Sequence, residues 1–222
     1  WYLDEVVSRF NAKNYKNIRL DGFYWYDEIM HYDVDPLVLE TAQGVTSYVH
    51  SLNGGAYQIY WIPFYQASGF RAWKNFGFDY AIMQPNYAFD ANASEQRITD
   101  TAELCKKYGL GIEMEFGGIS DKYITQFRQY LTNGANSKLG YQNNSLIAWY
   151  TGTWGISETS QDKAGTRYIY DAMYDFFTGK ATTMEKPVKN YAEDGKLTLE
   201  VGEIKNEDQY AANKEALPKL VD

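Results

Sequence analysis

The chain has 222 residues, 45% hydrophobic and 23% charged, a globular balance that excludes a disordered chain. Asp+Glu 29 against Lys+Arg 21 gives a net charge of −8, which argues against a nucleic-acid partner, because neutralising phosphates needs a basic face. One cysteine and no long uninterrupted apolar run exclude an intrachain disulfide, a Cys-based zinc site and a membrane span, and 2 histidines leave a His-rich metal site poorly supported.

The chain opens with Leu3, Val6, Val7 and Phe10 at helical spacing, directly after Trp1. A start inside or beside a helix, without Met, leads to the expectation of a fragment. Strands then alternate with helices. The strand candidates are Asn17–Tyr26, Gln58–Phe64, Tyr80–Ala88, Gly111–Phe116 and Leu146–Thr151, each rich in branched and aromatic residues as a strand covered on both faces should be. The helices between and after them are Pro36–Leu52, Gly69–Phe76, Ser94–Tyr108, Asp121–Asn133 and Gln161–Thr178. Asp35 before Pro36 is a start signal, and Gly77, Gly109 and Gly179 stand just past helix ends. Ile98, Ala102 and Cys105 share a helix face, so the lone cysteine reads as a packed core residue.

Five successive strand–helix units imply parallel strands joined by right-handed crossovers. The two architectures that allow this are a doubly wound open sheet and part of a (β/α)8 TIM-type barrel. The dinucleotide-binding glycine pattern is absent, since Gly109-Leu110-Gly111 opens a strand rather than a helix. Polar residues gathered at the C-terminal ends of several strands favour the barrel. Residues 1–180 then form the C-terminal part of an α/β barrel, about its last five strand–helix units. The charge-rich stretch 181–222 reads as a tail or an appended β-containing region, with a turn at Glu193-Asp194-Gly195-Lys196 entering a strand over Leu197–Gly202.

The first strand ends Tyr24-Trp25-Tyr26-Asp27-Glu28, so two carboxylates stand where an aromatic strand hands over to its loop. In the fourth strand Glu113 and Glu115 share one face, while Ile112, Met114 and Phe116 share the other. The apolar set belongs against the helices, so both glutamates point inward, where a carboxylate is costly unless paired or functional. The bland alternative is a buried salt bridge from Glu113 to Arg19 or another inner residue. Other strand ends carry Trp61, then Gln84, Asn86 and Tyr87, then Trp149 and Trp154. Aromatic faces stack on sugar rings, while amides and carboxylates hydrogen-bond hydroxyls, and 17% of this chain is aromatic. Glycosidic hydrolysis needs two carboxyl groups, about 5–5.5 Å apart in a retaining enzyme, and no cofactor.

Leu20–Glu28, Trp61-Ile62-Pro63-Phe64-Tyr65, Phe78-Asp79, Met83-Gln84-Pro85-Asn86-Tyr87 and Gly111–Phe116 resemble a bacterial family catalogued as domain of unknown function 4855. The resemblance covers Trp1 to Gly179. It implies a glycoside-hydrolase-like barrel and an extracytoplasmic location, whether periplasmic, cell-surface or secreted. The strand order also resembles that of clan A glycoside hydrolases, which makes the five strands the fourth to eighth. By that resemblance Glu28 is the acid/base and Glu115 the nucleophile, with Trp149 on an aromatic eighth strand. The clan's Asn-Glu pair stands here as Asp27-Glu28, so Asp27 is the alternative to Glu28.

The function expected is that of a retaining glycoside hydrolase, with Tyr24, Trp25, Asp27, Trp61, Gln84, Asn86, Tyr87, Glu113, Trp149 and Trp154 as substrate-binding residues. A non-catalytic glycan-binding or surface-assembly module is the alternative. An amidohydrolase-like or isomerase barrel would need His and Lys ligands that this chain is short of. The partners expected are a carbohydrate and the missing N-terminal barrel half, in another chain or segment.

Overall fold

The aromatic runs fold as a layer of short parallel strands with helices packed on one face. The computed structural model describes residues 1–135, 138–152, 154–180 and 184–186, with the backbone of two further strands at Tyr191–Glu193 and Lys196–Thr198. The chain divides into two compact units, Trp1–Met184 and Glu185–Asp222.

In the first unit the elements run α1 (Tyr2–Ala12), β1 (Gly22–Trp25), α2 (Pro36–Ser51), β2 (Gln58–Trp61), a 3-10 turn (Phe70–Phe76), β3 (Tyr80–Met83) and α3 (Gln96–Tyr108). They continue with β4 (Gly111–Glu115), α4 (Asp121–Ala135), the short α5 (Tyr141–Asn144), β5 (Ile147–Tyr150), α6 (Gly155–Ser160) and α7 (Arg167–Phe177). The 5-stranded sheet has the order β1-β2-β3-β4-β5, all parallel, and curls into a half-barrel. A doubly wound sheet reverses its strand order at a switch point, and this one does not. The arrangement is that of a partial β/α barrel.

Local chemistry sets the element ends. The Asp35 carboxylate accepts the Leu37 N–H at 3.0 Å, and Pro36 in the first turn has no N–H left to satisfy. At Gly77 the backbone turns left-handed, with φ +88°, and a side chain there would collide with the Thr46 hydroxyl. That hydroxyl instead donates to the Phe76 carbonyl at 3.0 Å, so α2 rests directly on the turn that enters β3. Asp79 braces the same end of the sheet. Its carboxylate accepts the Ile59 N–H at 2.7 Å and pairs with the His50 ring at 2.9 Å.

The core fills the space between the sheet's outer face and the helices. Ile59, Trp61, Ala81, Met83, Ile112, Met114 and Phe116 come from the strands and their ends, and Val49, Ile98, Cys105, Phe127, Leu131, Ile169 and Phe176 from the helices. Cys105 is buried, with its thiol against the Gly111 carbonyl. In this medium burial pushes the thiol up to about 12, so it stays protonated and packs as a small apolar group.

Two expectations change in detail. The last helix is not continuous over Gln161–Thr178. Asp162, Ala164 and Gly165 adopt φ of 56°, 53° and 67°, so that range holds a 3-10 turn at Lys163–Gly165 and then α7, while a separate α6 ends just before it at Ser160. The strands are also shorter than their apolar runs, because Pro63 and the left-handed Gln66 and Asn86 turn the chain soon after pairing ends. In the second unit, β6 (Tyr191–Glu193) and β7 (Lys196–Thr198) pair antiparallel. Leu197 and Thr198 of the expected strand lie in β7, whereas residues 199–202 and most of the charge-rich stretch lie outside the described residues.

Candidate functional site

Side chains alternate along each strand, and parallel registers carry the phase of one strand to the next. Glu113 pairs with Ala148 and Glu115 with Tyr150, while Tyr24 pairs with Tyr60 and Tyr60 with Tyr80. Tyrosines and glutamates therefore share the inner, concave face. They line a cavity of about 990 Å³. Its walls combine the carboxyls of Asp21, Glu28, Glu113 and Glu115, the rings of Tyr24, Tyr60, Tyr80, Phe89 and Tyr150, and the amides of Gln58, Gln84 and Asn86.

The two inner glutamates of β4 differ in what holds them. Glu115 is 1% exposed, and both its oxygens are engaged. One accepts the Asn86 N–H at 2.6 Å, the other the Ala88 N–H at 2.9 Å and the Tyr130 hydroxyl at 2.8 Å. Burial pushes this carboxyl up, and those donors oppose the shift. Glu113 is 6% exposed and makes no hydrogen bond or ion pair among the described residues. Burial first, then the charges of Glu115 and Glu28, push its carboxyl up to about 8, so it keeps its proton at neutral pH. Arg19 does not reach Glu113. It is exposed and pairs with Asp21.

The tyrosine wall is an open platform. Tyr24 and Tyr60 stack with centroids 5.2 Å apart and planes at 27°, and Tyr24, Tyr60, Tyr80 and Tyr150 are all partly open to solvent. Burial, followed by the charges of Glu28 and Glu113, pushes the Tyr24 hydroxyl up to about 12, which keeps it a hydrogen-bond donor. The Gln84 amide donates to the Ile62 carbonyl at 3.0 Å, and the Gln58 amide to the Tyr80 hydroxyl at 3.2 Å. Among the described residues no group of three or more His, Cys, Asp or Glu side chains is arranged to hold a metal ion, and no helix is long and apolar enough to cross a membrane.

Of the residues singled out in the sequence, Glu28, Glu115, Tyr24, Gln84, Asn86 and Glu113 come together at this cavity. Trp149 contributes to its wall, but its ring packs on Phe127 and Phe176, on the helix side. The remaining five stand elsewhere. Trp61 is fully buried, stacked on Phe78, with its indole N–H donating to the Asp27 carbonyl at 2.7 Å. Trp25 packs on Phe78 from the same outer layer. The Asp27 carboxylate accepts the Ile29 N–H at 3.2 Å in its own turn, and the Tyr87 hydroxyl donates to Gln129 at 2.7 Å. Trp154 is 82% exposed and lies off the cavity wall. Tyr60, Tyr80, Tyr150, Phe89 and Asp21 are wall residues that strand-end position alone does not single out. The phase of Glu113 and Glu115, carried across the pairs above, selects three of them.

A family model described as Domain of unknown function (DUF4855) matches residues 1–175. No curated protein matches the chain.

Proposed function

The chain belongs to the DUF4855 family, and we propose that its concave sheet face binds a carbohydrate chain and hydrolyses it between Glu113 and Glu28. The observation that carries the reading is Glu113, a carboxyl 6% exposed in a cavity wall and without a hydrogen-bond partner among the described residues, where burial favours its protonated form. Burying such a group is unfavourable unless something else engages it, and a glycosidic oxygen is a suitable acceptor. Glu28 supplies an exposed carboxylate on the same cavity, and the tyrosine wall supplies flat faces for sugar rings.

Glu113 donates its proton to the leaving oxygen as the C1–O bond breaks. The Glu28 carboxylate attacks C1 and forms a glycosyl ester, so the anomeric configuration is retained overall. Water then attacks C1, the ester bond breaks, and the Glu113 carboxylate takes back a proton from that water. The clan A resemblance makes Glu28 the acid/base and Glu115 the nucleophile, but Asn86, Ala88 and Tyr130 occupy the Glu115 oxygens, so Glu28 is proposed as the nucleophile and Glu113 as the acid/base instead. Glu115 is a positioning residue, fixing the loop that carries Asn86 and Phe89 to the cavity. The same occupied oxygens favour the second reading, a glycan-binding module without turnover.

The test is a panel of neutral, amino and acidic oligosaccharides incubated with the protein and with Glu113→Gln and Glu28→Gln. Release of new reducing ends by the wild type, lost in both variants, supports hydrolysis. Binding without release supports the second reading, and neither binding nor release on any glycan overturns the proposal.

A further inference from the structure

Of the acidic groups on the cavity wall, Glu28 and Glu113 have no cation paired with them among the described residues. Asp21, Glu28, Glu113 and Glu115 line it, and among the described residues no lysine, arginine or histidine does. Arg19 pairs with Asp21 but is not part of the wall. Glu28 has no hydrogen bond or ion pair among the described residues, and Glu113, 6% exposed, is an unpartnered carboxyl facing the same space.

The aromatic rings give an independent observation. Elsewhere on this protein, side-chain cations cover partly exposed rings: Arg97 lies over Tyr65 at 4.5 Å, Arg167 over Tyr170 at 4.9 Å, and Lys122 over Tyr123 at 5.5 Å. Among the described residues none covers Tyr24, Tyr60, Tyr80 or Tyr150, which stay partly open to solvent beside the carboxyls, Tyr24 and Tyr60 each with one face on the other. Open tyrosine faces next to the Glu28 carboxylate attract a cation through both the ring quadrupole and that charge. A carboxylated or sulfated sugar would meet the like charge of Glu28, which is unfavourable.

Resting on the carbohydrate reading above, we infer that the sugar accepted by this cavity carries a free amino group, taken up as its ammonium between Glu28 and the open tyrosine faces. The substrate class is a partly or wholly de-N-acetylated hexosamine glycan. An acetamido group in the same position would be uncharged and would forgo the attraction.

The experiment measures dissociation constants by calorimetry for matched tetrasaccharides of α- and β-linked glucosamine and galactosamine, each beside its N-acetylated and its hydroxyl counterpart. The free-amine member of at least one set binds about tenfold tighter than its counterparts at low ionic strength. That preference shrinks several-fold at about 0.5 M salt, where the Debye length is only ~4 Å. It also shrinks several-fold in Glu28→Gln, in which the free-amine member loses more affinity than the hydroxyl member. Equal or tighter binding of the hydroxyl or acetylated members overturns the inference and leaves the carbohydrate reading standing. So does a Glu28→Gln variant that weakens all members alike. No binding by any member overturns the inference, and the carbohydrate reading then stands or falls on the wider panel above.

Discussion

The Glu115 carboxylate accepts the backbone N–H of Ala88 at 2.9 Å, tying the inner end of β4 to the loop that follows β3. With the Asn86 N–H and the Tyr130 hydroxyl it forms a three-donor clamp across β4, that loop and α4. Asn86 holds a φ of 55° within it, a conformation that an asparagine adopts with little strain but that needs fixing contacts to persist. Replacing Glu115 by Gln puts an N–H2 group against N–H donors. The variant should lose about 1–3 kcal/mol in denaturant unfolding, and Tyr130→Phe, which removes one donor, about 1 kcal/mol. Unchanged stability in Glu115→Gln would contradict the clamp.

Glu113 makes stability depend on pH with a defined sign. Its carboxyl titrates near 8 in the folded chain, against an ordinary value of 4.5, so between these values the native state binds the extra proton. Its contribution is neutral below about pH 4.5 and turns progressively unfavourable up to about 8. Glu115, also raised, acts in the same direction. Glu113→Gln should therefore gain stability over wild type at pH 9, on the order of a few kcal/mol, and little at pH 4. Thermal melts at the two pH values check it, and a variant equally stabilised at both would refute it.

On the hydrolytic proposal the same proton sets the activity profile. A general acid must be protonated, so turnover should fall as pH rises through about 8, the value at which Glu113 loses its proton. Glu28, Glu115 and Tyr24 face it, and of these only Glu28 and Glu115 raise it by charge. Removing the Glu28 charge by Glu28→Gln should lower the Glu113 midpoint. Carbon-13 NMR of labelled glutamate side chains reads that midpoint without any substrate.

Neighbouring aromatics on β2 should behave oppositely. Trp61 is fully buried against Phe78, so Trp61→Ala should cost about 3–5 kcal/mol of stability. Tyr60 is half open and stacks on Tyr24 over the cavity, so Tyr60→Ala should cost about 1 kcal/mol yet weaken glycan binding several-fold. Denaturation and calorimetry on the two variants would separate the layers. A Tyr60→Ala variant with unaltered glycan affinity would remove the tyrosine wall from recognition.

Much of this architecture is readable from local chemistry. Asp35-Pro36 opens α2 as its capping geometry demands, and the alternation in β4 puts Glu113 and Glu115 on one face and Met114 on the other. Position at a strand end is a weaker guide than phase. Trp25 and Trp61 lie one residue from Tyr24 and Tyr60, yet that single step turns them from the cavity to the core. The occupation of Glu115 is not legible in the chain at all, because two of its donors are backbone N–H groups in a loop 27 and 29 residues earlier in sequence. How each of the two glutamates is held depends on those distant partners rather than on the spacing of the pair.

The most direct test compares wild type, Glu113→Gln and Glu28→Gln on a cleaved glycan and on its dinitrophenyl glycoside, whose leaving group needs no proton. Glu113→Gln should lose about 10²–10⁴-fold in kcat on the glycan and far less on the dinitrophenyl substrate, whereas Glu28→Gln should lose both. A Glu113→Gln variant that cleaves the glycan at the wild-type rate would contradict the assignment of Glu113 as the proton donor.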